Sequence, residues 1–118
     1  MREYQRKKNN PYKLPQNLYY EVKYMLKDYK RLKEEYNTLS DAPEEERDWV
    51  RLCSAATKLS AIDTAISAIP DEYREGLLNN LENERSQNGY YPINADFRTY
   101  QNYKQRLIFF VAQNMHYV

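Results

Sequence analysis

The sequence predicts an all-α fold, and three observations carry that prediction. Apolar residues recur at alternating spacings of three and four over most of the chain, which is the period of a helix face. No run of useful length alternates apolar with polar residues, so no sheet is expected. Gly and Pro are few, two and five in 118 residues, and Pro43, Pro70 and Pro92 fall at breaks in the apolar pattern. A chain of this length forms one domain and buries only roughly 65% of its unfolded surface. The expected architecture is a long helical hairpin over about 17–39 and 43–68, a shorter helix over about 70–83 and a C-terminal helix over about 96–115.

Residues 1–16 hold Pro11 and Pro15 and show no apolar period, and read as a flexible basic arm before a single helical domain over 17–118. The first helix follows from Leu18, Val22, Met25, Tyr29, Leu32, Tyr36 and Leu39, a heptad seam of three repeats. That seam packs either inside the chain or against a second copy, so dimerisation through 18–39 is one of its two readings. The stretch "SDAPEEERDW" breaks and restarts the pattern. Asp41 with Glu44 fits a capping box, Pro43 suits a first turn, and Glu44, Glu45 and Glu46 suit the positive end of a helix dipole. From Trp49 the set Leu52, Cys53, Ala56, Leu59, Ile62, Ile66 and Ile69 defines the second helix, antiparallel to the first because the connection is short. The residue before Pro70 is disfavoured in helical geometry, so this helix should end near Ala68.

The third helix opens at Pro70, with Asp71 and Glu72 in its first turn and Tyr73, Leu77 and Leu81 on one face. Gly76 either weakens it by about 1 kcal/mol relative to Ala or admits another helix at close range. "NERSQNGYYPINAD" reads as a loop, with turn signals at Asn88–Gly89 and Pro92. Asn94 or Asp96 can cap the last helix. Its apolar side is Phe97, Tyr100, Leu107, Ile108, Val111, Ala112 and Met115, and its polar stripe is Arg98, Gln101, Asn102 and Gln105.

Composition narrows the class. No apolar run approaches the roughly 20 residues of a membrane span, so no membrane partner is expected. The basic start is followed by no apolar stretch, which argues against a secretory leader. A lone cysteine, Cys53, forms no internal disulfide; a reducing, cytoplasmic setting is the expectation. Mean hydropathy is low, at −1.01, but the thirteen Tyr can bury their rings while keeping the hydroxyl wet. Net charge is +1 and unevenly distributed. Arg2, Arg6, Lys7, Lys8 and Lys13 crowd the start, acids crowd 41–48, and no acid follows Asp96.

No catalytic constellation stands out, and the expectation is that the chain is not an enzyme. His116 is alone, Cys53 lies at a core spacing that suits a buried structural thiol, and no Cys/His cluster or Gly-rich phosphate loop is present. No cofactor is expected.

Several phrases carry a resemblance. Asn10-Pro11-Tyr12, Leu14-Pro15 and Tyr19 come first, followed by Pro70, Glu72-Tyr73-Arg74 and Gly76. Then come Tyr91-Pro92, Ala95, Thr99-Tyr100, Tyr103-Lys104, Arg106-Leu107, and Phe109 through Ala112 with Asn114. Over nearly the whole chain these resemble a group of small phage and prophage proteins of bacteria. The group is distantly similar to phage late-gene transcription regulators of the ArpU/RinA type, whose ends are sigma-like helix-turn-helix units. The resemblance implies a DNA-binding regulator with a sigma-like C-terminal half. In that reading Arg98, Gln101, Asn102 and Gln105 face base edges, while Thr99 and Lys104 contact phosphate. Arg2, Arg6, Lys7 and Lys8 act as a basic arm. The simpler readings are a solvated helix face and a solubilising tail. The connection from about Asn83 to Asp96 is far longer than a helix-turn-helix turn.

The alternative is a protein-binding inhibitor or adaptor, such as an anti-defence protein, acting on a host or phage protein. The pairs Tyr90-Tyr91 and Phe109-Phe110 cannot each bury both rings on one helix face, so one ring of each pair would form its contact surface.

Overall fold

One long helix over 17–39 would have to lie against two different surfaces, and the chain instead bends between them. In the computed structural model, which describes residues 11–83 and 96–118, the first helical segment is α1 (Gln16–Lys27) and the second is α2 (Tyr29–Asp41). At Asp28 the amide is shared between the carbonyls of Tyr24 at 3.3 Å and Met25 at 3.1 Å, a single tightened 3₁₀-like step. The ladder resumes at once, with the Leu32 amide on the Asp28 carbonyl at 2.8 Å. The bend lets α1 pack on α4 and α5 while α2 packs on α3.

The other helices are α3 (Trp49–Ser67), α4 (Asp71–Glu82) and α5 (Phe97–Asn114), and no strand occurs among the described residues. The all-α expectation is therefore met, with the third and last helices within a residue or two of their predicted bounds. The start of α3 is a correction. Asp41 ends α2 rather than capping the next helix; Glu44–Glu46 form a 3₁₀ turn after Pro43. The N-cap of α3 is Asp48, whose carboxylate accepts the Arg51 amide at 3.1 Å. The predicted end near Ala68 holds: Ala68 is the C-cap.

The core is one cluster built around Val22, Ile62, Leu81, Ile108, Val111 and Ala112, each with no measurable exposure. Each large aliphatic side chain there contributes about 1.5–3 kcal/mol on burial. Val22 and Leu32 of the heptad seam are buried and Leu18, Met25 and Tyr29 are packed against the same cluster, so the seam is used within the chain as far as Leu32, while Tyr36 further along it is exposed. The Asn114 side-chain amide donates to the Ala61 carbonyl at 3.0 Å, tying the end of α5 to α3.

The expected arm of residues 1–16 does not hold at its inner edge, among residues 11–16. Leu14 is buried, α1 begins at Gln16, and the Tyr12 ring packs edge-on against Phe109 at 5.6 Å and Phe110 at 5.8 Å. Cys53 is exposed, not buried as its spacing suggested, because the first turns of α3 extend beyond the core.

Candidate functional site

The phrase "IPDEYREG" builds the joint on which α5 rests. Ile69 is buried, and Pro70 sits at the N-cap of α4 with extended backbone. The Arg74 guanidinium turns back to donate to the Ile69 carbonyl at 2.7 Å and the Ser67 carbonyl at 3.0 Å. It thereby satisfies groups at the end of α3 that have no intrahelical partner. Arg74 also pairs with Asp71. Tyr73 stacks on Tyr103 at 4.7 Å and meets Tyr100 edge-on at 5.1 Å. Gly76 lies under Tyr100: a Cβ there would be 2.7 Å from Cε1 of that ring and 3.0 Å from its hydroxyl. The close helix approach is therefore the reading of Gly76 that holds.

These contacts seat α5 on α4. Tyr73 pairs with Tyr100 and Tyr103, and Asn80 lies on Lys104, so α4 packs along the first half of α5. The sequence between the two helices is far longer than a helix-turn-helix turn.

Asp96 caps α5, accepting from the Arg98 amide at 3.0 Å and the Thr99 hydroxyl at 2.9 Å. Those bonds, the Thr99 one foremost, hold the Asp96 carboxyl below the usual range. The Thr99 hydroxyl is therefore engaged in the cap. Arg98, Gln101, Asn102 and Gln105 share one face by helical period. Arg98 and Asn102 are exposed, Gln101 and Gln105 half-buried. Neither the Arg98 guanidinium nor the Asn102 amide makes a hydrogen bond among the described residues.

Lys104 is a correction to the expected phosphate contacts. It is 2% exposed, and its ammonium donates to Oδ1 of Asn80 at 3.1 Å. It is thus a buried tie between α4 and α5. The same α5 face continues into Phe109, which the N-terminal segment covers. Arg106 lies over both the Tyr12 ring at 5.1 Å and the Tyr103 ring at 5.2 Å. Phe109 and Phe110 are consequently half-buried, and neither stands out as an exposed ring. Arg2, Arg6, Lys7 and Lys8, and the pair Tyr90 and Tyr91, lie outside the described residues.

Residues that sequence reading did not single out for interaction are Trp49 and Val50, 50% and 82% exposed. Among the described residues no three His, Cys, Asp or Glu side chains are grouped to hold a metal, and no helix is long and apolar enough to cross a membrane. Comparison with family models, with curated proteins and with solved structures gives no match to this chain.

Proposed function

We propose that the chain is a small regulator of the phage or prophage kind that binds duplex DNA through the first half of α5. The observation that carries this reading is the pair Arg98 and Asn102, whose exposed side chains make no hydrogen bond among the described residues, on a helix whose opposite side is locked into the core. They are four residues apart, about 6 Å along the axis and close to two base-pair steps at ~3.4 Å each. Arg suits guanine and Asn suits adenine in the major groove. A reader of this kind uses the first turns of its recognition helix. The segment at Tyr12 supports the same face. Tyr12 lies on Phe109, seven residues or about 10 Å from Asn102 along α5. No acid follows Asp96 to oppose phosphate on α5.

The test is anisotropy of a labelled random duplex titrated with pure protein at low and moderate salt, followed by selection of a preferred sequence. Binding that weakens steeply with salt is expected from counterion release. Arg98→Ala with Asn102→Ala should erase sequence preference, about 1–3 kcal/mol for each base contact, with helicity unchanged. Absence of binding at low salt would sink the reading.

A further inference from the structure

We infer that the far end of the α2–α3 hairpin is a docking surface for a protein partner with a basic, apolar-pocketed face. From Lys33 to Ser54, 22 consecutive residues, no residue is fully buried, although the segment holds the last part of α2, the connection and the first turns of α3. Tyr36, Trp49 and Val50, three of the large hydrophobic side chains that stand exposed, lie in this one segment. Trp49 is held only loosely, with the Arg47 guanidinium over its ring at 5.5 Å. An open groove of about 410 Å³ between α2 and α3 adjoins the segment at Tyr36, lined also by Lys33, Asn37, Ala56, Leu59 and Asp63. A solvent-facing Trp with a second exposed apolar side chain beside it is the kind of anchor found at interface centres.

Charge selects the occupant. The segment 33–54 carries seven acids against three bases, in a chain whose total is +1. Glu34, Asp41, Glu44, Glu45 and Glu46 are exposed and take part in no ion pair among the described residues. Two copies meeting through this end would set like charge against like charge, and the carboxylates repel the phosphates of a nucleic acid. A basic protein surface is left as the complementary partner. The surface is also separate from the α5 face. Asn114 at the end of α5 bonds Ala61, and Trp49 lies twelve residues, about 18 Å, further along α3.

Trp49 is the chain's single Trp and so reports directly on this surface. The probes are two short labelled amphipathic peptides, one of Leu and Lys and its twin of Leu and Glu. The Leu/Lys peptide is expected to bind and move Trp49 emission to the blue; the Leu/Glu twin is expected to do neither. Val50→Ser, and separately Glu44→Gln with Glu45→Gln and Glu46→Gln, should each weaken the Leu/Lys peptide by about tenfold, with helicity retained. Equal binding of the two peptides, or variants that bind as wild type does, would overturn the proposal. So would a blue shift produced by raising the protein concentration alone, which would assign the surface to a second copy, or one produced by duplex DNA.

Discussion

At the junction of α3, α4 and α5, Ile69 is buried, Tyr73 sits between two other rings, Arg74 caps α3 and Gly76 accepts the Tyr100 ring. At the far end of the α2–α3 hairpin, Trp49 and Val50 face solvent and five carboxylates lack ion-pair partners among the described residues. The junction's sequence is among the phrases from which a DNA-binding regulator was expected, yet its side chains are spent on holding α5. The hairpin end reads as a capping box, yet its side chains are mostly unspent. A conspicuous phrase can be conspicuous because three helices must meet there, and functional potential is better sought where burial and partners are missing.

The largest test of this contrast is Gly76→Ala. On an isolated helix the change is worth about 1 kcal/mol in the stabilising direction. Here the new methyl would meet the Tyr100 ring, which is 5% exposed and packed edge-on against Tyr73, so the ring cannot swing away. A net loss of about 1–3 kcal/mol is expected, read as a lower urea midpoint and a Tm lower by roughly 5 °C or more. A variant as stable as wild type would break the account of the junction. Arg74→Met comes next, with an expected loss of about 1–2 kcal/mol from two carbonyl contacts that are partly solvated. Arg74→Lys should lose most of that amount too, since a single ammonium cannot reproduce the fork onto Ser67 and Ile69.

At the end of α5 the chain is strained rather than under-packed. His116 has φ of 61°, and its amide and that of Tyr117 close onto the carbonyls of Gln113 at 3.0 Å and Ala112 at 2.9 Å. This is a Schellman closure with His where Gly is usual. His116→Gly should therefore stabilise by about 1 kcal/mol, measured by urea unfolding.

A smaller effect separates the well-held part of the hairpin from its end. Tyr29 donates to the Asp63 carboxylate, and its pKa is pushed up to about 12, first by burial and then by that bond and charge. The folded pKa is above the unfolded value of about 10. The linkage is thus fully present below pH 10 and is lost as pH rises to about 12. Other tyrosines titrate in the same window, so the readout is the difference between wild type and Tyr29→Phe. That difference should shrink across the window; a constant difference would remove Asp63 from the linkage.

How much of this was legible depended on whether the cause was local. The ends of α4 and α5 were, because Pro70 and Asp96 act within a turn. The bend at Asp28 was not, since the heptad seam runs through it unbroken and the cause is two packing partners far along the chain. The burial of Lys104 was in the spacing, four residues after Tyr100 and three before Leu107 on the apolar side of α5; a lysine ordinarily reaches solvent, and what the spacing did not show was its partner Asn80, 24 residues away. In the candidate site, the shared face of Arg98 and Asn102 followed from helical period alone. The covering of Phe109 and Phe110 by Tyr12 did not, because nothing in the periodicity of α5 shows a segment packed from outside it.

The smallest expected effect is the most discriminating. Trp49→Ala with Val50→Ser removes a large apolar surface, and in a core position that would cost several kcal/mol. At the hairpin end it should change unfolding stability by no more than about 0.5 kcal/mol, because Val50 is exposed and Trp49 is half in water in the folded protein. The weak Arg47–Trp49 contact is lost with the ring. A large destabilisation would mean that the end is structural in the way the junction is, and the docking surface would lose its basis. Near-neutral stability together with loss of binding to the Leu/Lys peptide would separate the two regions as argued: one holds the helices together, and the other is left free to meet a partner.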